Sequence, residues 1–67
     1  MEIKPNAIYD RSQVMELLMI STNKLKDIVN SGDLEAKMIS NKWIFIGQSI
    51  LDYVKSLPPV AEKKQNS

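Results

Sequence analysis

Apolar residues recur along this chain with two different periods. Val14, Leu17 and Leu18 fall at i, i+3 and i+4, and Met15 widens the stripe, so the spacing predicts a helix from Arg11 to Leu18 or Met19. Asp10 stands ahead of it as an N-cap residue, and Gln13 three places on completes a capping-box pattern. Leu25, Ile28 and Val29 repeat the helical spacing and predict a second helix from Thr22 to Ser31. Ser21 or Thr22 is its cap, and Gly32 follows where a left-handed closing residue is wanted. Only "MIS" separates the two helices. So short a turn forces them to cross steeply, which is helix-turn-helix geometry.

The period then changes. "AKMISNKWIFI" is rich in β-branched and aromatic residues and predicts a short hairpin with Ser40, Asn41 and Lys42 in its turn. Trp43 and Phe45 alternate along one strand and therefore share a face. Core packing is the expected use of that face, in preference to stacking on nucleic-acid bases. Ile50, Tyr53, Val54 and Leu57 restore the helical spacing after Gly47, and Pro58 and Pro59 end the element. Residues 1–7, broken by Pro5 and Asn6, read as an N-terminal arm, residues 8–57 as one domain and residues 58–67 as a flexible C-terminal tail. The expected fold is mainly α with a small β-hairpin: a winged helix-turn-helix made of helix, turn, helix, two-stranded wing and C-terminal helix.

Composition narrows the chemistry. At 67 residues the chain has room for one core. It contains neither cysteine nor histidine, which excludes disulfides, His-based triads, thiol nucleophiles and the usual zinc ligand sets. There is no Gly-rich phosphate loop. No enzyme, no cofactor and no small-molecule substrate is therefore expected. No apolar run is long enough to span a membrane, and "MEIKPNAIYD" lacks the basic start and apolar stretch of a signal peptide, so a cytoplasmic location is expected. The formal net charge is +1. Between Ile8 and Leu57, Arg11, Lys24, Lys26, Lys37, Lys42 and Lys55 are balanced by Asp10, Glu16, Asp27, Asp33, Glu35 and Asp52. Any polyanion must then be recognised by the placement of charge, since the sum is neutral.

The run from Ile8 to Leu57 resembles the excisionase-type helix-turn-helix domain, a small relative of the MerR-like DNA-binding domain. "IYDRSQVMELLMIS" is similar to the family's first half, "SGDLEA" to the end of its recognition helix, "ISNKW" to its hairpin turn and "ILDYV" to its closing helix. Met38, Ile44 and Asp33 stand where that family often carries basic residues. The resemblance implies a double-stranded DNA partner, with the second helix in the major groove and the wing on the adjacent minor groove or backbone. It also implies either a small transcription regulator or a recombination directionality factor, and binding in several cooperating copies.

On that frame Ser21, Thr22, Asn23, Lys24 and Lys26 lie at the N-terminal end of the recognition helix, where side chains reach base edges. Asn suits adenine, and Lys suits guanine or phosphate. Lys37, Asn41 and Lys42 are the wing candidates, and Arg11 at the start of the first helix can reach the backbone. Asp27 is expected to pair with Lys24 or Lys26. Met15, Met19, Met38, Ile44 and Leu51 are left over from the stripes and suggest self-association, as a dimer or as neighbours along DNA. A recombinase or RNA polymerase would be a further partner, and no membrane is expected. The alternative reading is a protein-interaction module that keeps the winged scaffold with weak or lost DNA binding.

Overall fold

The computed structural model describes residues 2–60, so the greater part of the expected C-terminal tail, residues 61–67, lies outside the described residues. The chain runs β1 (Ile8–Asp10), α1 (Arg11–Leu18), α2 (Thr22–Asn30), β2 (Lys37–Ile39), β3 (Lys42–Ile46) and α3 (Gly47–Ser56). Three helices thus accompany one antiparallel sheet with strand order β1-β3-β2. Among the described residues no helix is long and apolar enough to cross a membrane.

The helices start and stop where the sequence places them. Asp10 and Gln13 form the capping box: the Asp10 carboxylate accepts from the Gln13 N–H at 2.8 Å, and the Gln13 side chain accepts from the Asp10 N–H at 2.9 Å. Both α1 and α2 end in the same paired closing bonds. The Ile20 N–H donates to the Met15 carbonyl and the Met19 N–H to that of Glu16; in α2 the Asp33 N–H donates to Ile28 and the Gly32 N–H to Val29. Each closure needs one residue with positive φ. In α2 this is Gly32, at φ 87°; in α1 it is Met19, at φ 56°. Met19 has no glycine-like freedom, and its side chain is 88% exposed. Its backbone is held left-handed by the two flanking helices and by the packing of Ile20 on the core.

The expected two-stranded wing has a third strand. Tyr9 pairs with Phe45 and Asp10 with Ile44, so the segment ahead of the first cap is a sheet edge. Three residues are too short to carry a legible alternation, which is why "IYD" reads only as a helix entry. The hairpin turn is tighter than expected. Ile39 pairs with Lys42, so Lys42 belongs to β3, and Ser40 and Asn41 alone make the turn at φ 50° and 64°. Two successive positive φ values match the right-handed twist of the strands they join.

The N-terminal arm is built into the sheet end. Pro5 and Asn6 form a β-turn closed by the Ala7 N–H on the Lys4 carbonyl at 3.1 Å. The Lys4 N–H donates to the Tyr9 hydroxyl at 2.8 Å. The N-cap of α3, Ile46, has no side chain able to cap it. Instead the Gly47 and Gln48 N–H groups donate to the carbonyls of Ala7 and Pro5, both at 2.9 Å. A Cβ on Gly47 would drive into the Lys4 carbonyl, so only glycine lets the arm approach.

Val14, Leu25, Ile28, Leu34, Phe45 and Ile50 are buried. Leu34, just after the α2 closure, completes a core that the helical stripes only partly mark. Phe45 is the central side chain, and Trp43 meets its ring edge-on with centroids 6.3 Å apart while remaining half-buried. The stripe of α3 is buried only at its start, with Val54 and Leu57 exposed.

Two substitutions test these constraints by chemical denaturation. Gly47→Ala should destabilise by about 1–3 kcal/mol, the usual range for forcing an extra carbon into a filled site. Met19→Gly should stabilise by up to about 1 kcal/mol, because it releases a left-handed residue whose side chain buries almost nothing. A Met19→Gly protein less stable than wild type would mean that the exposed methionine contributes more than its conformation costs.

Candidate nucleic-acid interface

Helix α2 presents two unlike faces. Leu25 and Ile28 are buried. At about 3.6 residues per turn, the opposite side carries Asn23, Asp27 and Asn30 as one ridge, with Lys24 and Lys26 flanking it on either side. All five are exposed. The ridge is therefore a row of hydrogen-bonding groups between two cations. Ser21 caps the helix, its hydroxyl accepting from the Lys24 N–H at 3.2 Å. Thr22 is turned inward. Its hydroxyl donates to the Met15 sulfur at 3.6 Å, between α2 and α1.

The expected pairing of Asp27 with a lysine does not form. Among the described residues the ion pair present joins Lys37 to Glu35 at 3.6 Å, on the surface. Adjacent residues on a helix point away from one another, which removes Lys26 as a partner. For Lys24, three places earlier, an exposed pair gains too little to fix two mobile side chains. Both α2 lysines consequently keep their charge unshared among the described residues, whereas the charge of Lys37 is partly offset.

A second locus lies where β1 stops short. Its pairing with β3 covers residues 44–46, which leaves Lys42 and Trp43 without a β1 neighbour. The gap is a cleft of 410 Å3 lined by Asp10, Arg11, Ser12, Asn41, Lys42 and Trp43. Three candidates distant in sequence, Arg11, Asn41 and Lys42, meet there. The cleft also holds the first turn of α1, whose N–H groups favour anions, and a half-exposed tryptophan edge. The Asp10 carboxylate opposes the two cations, and one of its oxygens is engaged by the Gln13 N–H. Ser12 and Trp43 were not legible as lining residues, because their part in the cleft follows from where β1 ends. The α2 candidates do not line it, so the candidates fall in three places: Ser21, Thr22, Asn23, Lys24 and Lys26 at α2, Arg11, Asn41 and Lys42 around the cleft, and Lys37 on β2 beside Glu35.

Comparison with known proteins adds little to this geometry. No protein-family model matches the chain. It is similar to the magnetosome protein MamR of Paramagnetospirillum magneticum, with 26% identity over 53 residues, which is 79% of this chain and 63% of MamR. The chain thus spans less than two thirds of the length of that relative. No solved structure matches.

The α2 geometry predicts a clear separation in equilibrium unfolding. Ser21→Ala should lose about 1 kcal/mol, the typical worth of a serine cap. Asp27→Asn should change stability by less than about 0.5 kcal/mol, since no pair is broken. A loss of about 1 kcal/mol or more for Asp27→Asn would mean that it does engage a lysine in solution.

Proposed function

We propose that the chain is a winged helix-turn-helix protein that binds double-stranded DNA sequence-specifically, as a small transcription regulator or recombination directionality factor of excisionase or MerR-like type. The observation that carries this reading is the exposed ridge of α2. Asn23, Asp27 and Asn30 can exchange hydrogen bonds with base edges, while Lys24 and Lys26 on its flanks suit the phosphates on either side of a groove. Three supports surround it. The α1–α2 connection is short, as a helix-turn-helix requires. The hairpin tip carries Asn41 and Lys42. Arg11 shares a cleft with that tip, where a backbone phosphate would find two cations and a helix N-terminus.

The neutral body sets the scale of the interaction. With few cations available, about three to five phosphates would be neutralised, so affinity should fall with a log–log salt slope of about −3 to −4.5. Asp27 and Asp10 work against indiscriminate phosphate binding and make the reading one of selectivity more than of strength. In this reading the chain performs no reaction and carries no cofactor. A recombinase or RNA polymerase would act on the DNA it marks. MamR contributes no function to the argument, since its likeness is distant and partial.

The second reading is a protein-interaction module on the same scaffold. Apolar side chains on the surface favour it: Ile8, Met19, Met38 and Ile39 are all exposed.

Binding to genomic DNA fragments at a series of salt concentrations separates the two. The DNA reading expects retarded fragments and the slope given above; no binding to any fragment at low salt leaves the interaction module. Lys24→Ala should change which fragments are preferred, and Lys42→Ala should weaken all of them alike and lower the slope by about one phosphate.

A further inference from the structure

The sheet has two faces, and the register says which side chains share each. Residues directly opposite one another project to the same side. Tyr9, Phe45, Trp43 and Met38 therefore lie on the face that meets the helices. Ile8, Ile46, Ile44, Asp10, Lys37, Ile39 and Lys42 lie on the other. None of its four isoleucines packs against the core cluster. Ile8 is 66% and Ile39 58% exposed, and Ile44 and Ile46 on the central strand are half-buried. The outer face thus carries four isoleucines outside the core cluster, two of them exposed and two half-buried.

Its charges are ordered. One row across the sheet reads Asp10, Ile44, Lys37, with acid on β1, an apolar centre on β3 and base on β2. Such a row is complementary to its own image. A two-fold axis lying between two facing sheets and parallel to the strands carries β1 of one copy over β2 of the other.

We propose that two copies of this chain associate through the outer faces of their sheets, with Ile44 and Ile46 meeting their counterparts and Asp10 of each copy meeting Lys37 of the other. Contacts of this isologous kind repeat each interaction twice and close without forming a chain. Asp10 has an oxygen to offer, because its capping bond uses only Oδ1. Lys37 then lies between Glu35 of its own copy, 3.6 Å away, and Asp10 of the second. The same axis brings the two Lys42 side chains together at the hairpin end, where their long stems let the ammonium groups turn to solvent. The alternative two-fold, across the strands, would set Asp10 on Asp10 and is disfavoured by charge.

The face is small. Three strands at about 4.8 Å spacing and a central strand about 17 Å long give roughly 250 Å2 per copy. A stable interface needs about 800 Å2 per partner. The association is accordingly weak and concentration-dependent, and it becomes strong only where something holds copies side by side, as adjacent binding sites on one polymer do.

The test is a dilution series of the full chain without DNA, followed by isoleucine methyl NMR and sedimentation, so its outcome does not depend on whether the chain binds DNA. Concentration-dependent shifts at Ile8, Ile39, Ile44 and Ile46 are expected. Two neighbours on β2 supply the control, because Met38 and Ile39 are both exposed but point to opposite faces. Ile39→Glu and Lys37→Glu should each weaken association about tenfold or more, and Met38→Glu should leave it unchanged, with all three folded by circular dichroism. A chain monomeric up to about 1 mM overturns the proposal, whether the face is bare or covered by the chain's own C-terminal residues. So does equal loss on Met38→Glu and Ile39→Glu, or loss on Met38→Glu alone.

Discussion

The meeting of the N-terminal arm with the start of α3 is the contact on which the remaining structure hangs. The carbonyls of Ala7 and Pro5 accept the first N–H groups of α3, which has no capping side chain of its own. The same bonds align the arm so that Ile8, Tyr9 and Asp10 run antiparallel to the end of β3. Asp10, fixed at the end of that strand, is then in place to cap α1. One backbone junction thus joins the arm, two strands and the starts of two helices, and it exists because Gly47 has no side chain to fill the space taken by the Lys4 carbonyl.

From that junction the core assembles around the middle strand. β3 is paired on both edges, and Phe45 near its middle belongs to one core cluster with residues from all three helices and with Leu34. A chain of this size has little apolar surface to bury, so it draws partly buried side chains such as Ile3, Tyr9 and Trp43 against the same cluster. The arm and the sheet edge therefore belong to the core's economy of space, although neither carries a helical or alternating pattern long enough to announce itself.

The surface features divide in the same way. The α2 ridge is polar, flanked by two lysines with no ion-pair partner among the described residues, and depends only on helix phase. The cleft between α1 and the hairpin tip depends on β1 ending at Asp10 while β3 extends further to Lys42. The outer sheet face depends on register, which sets four isoleucines and an acid-to-base row on one side. The polar ridge on α2 and the isoleucines of the outer sheet face are different parts of this small scaffold, while Asp10 and Lys42 belong both to the cleft and to the outer face of the sheet.

The chain's own sequence determined what is local. Helix starts and ends are written in caps and closing residues: Asp10 with Gln13, Ser21 and Gly32 act through bonds within a few residues, so α1 and α2 are legible without any tertiary information. The hairpin was legible for the same reason, because Asn41 tolerates the left-handed backbone that a tight turn needs. Tertiary structure alone decided what distant segments do to each other. It made a strand of "IYD", made a cap of the arm, held Met19 left-handed without a glycine and brought Arg11 to Lys42. It also set the Thr22 hydroxyl 3.6 Å from the Met15 sulfur of α1. These outcomes rest on pairings across many residues, whose energy is realised only once the core has brought the segments together, and no short stretch of sequence encodes them.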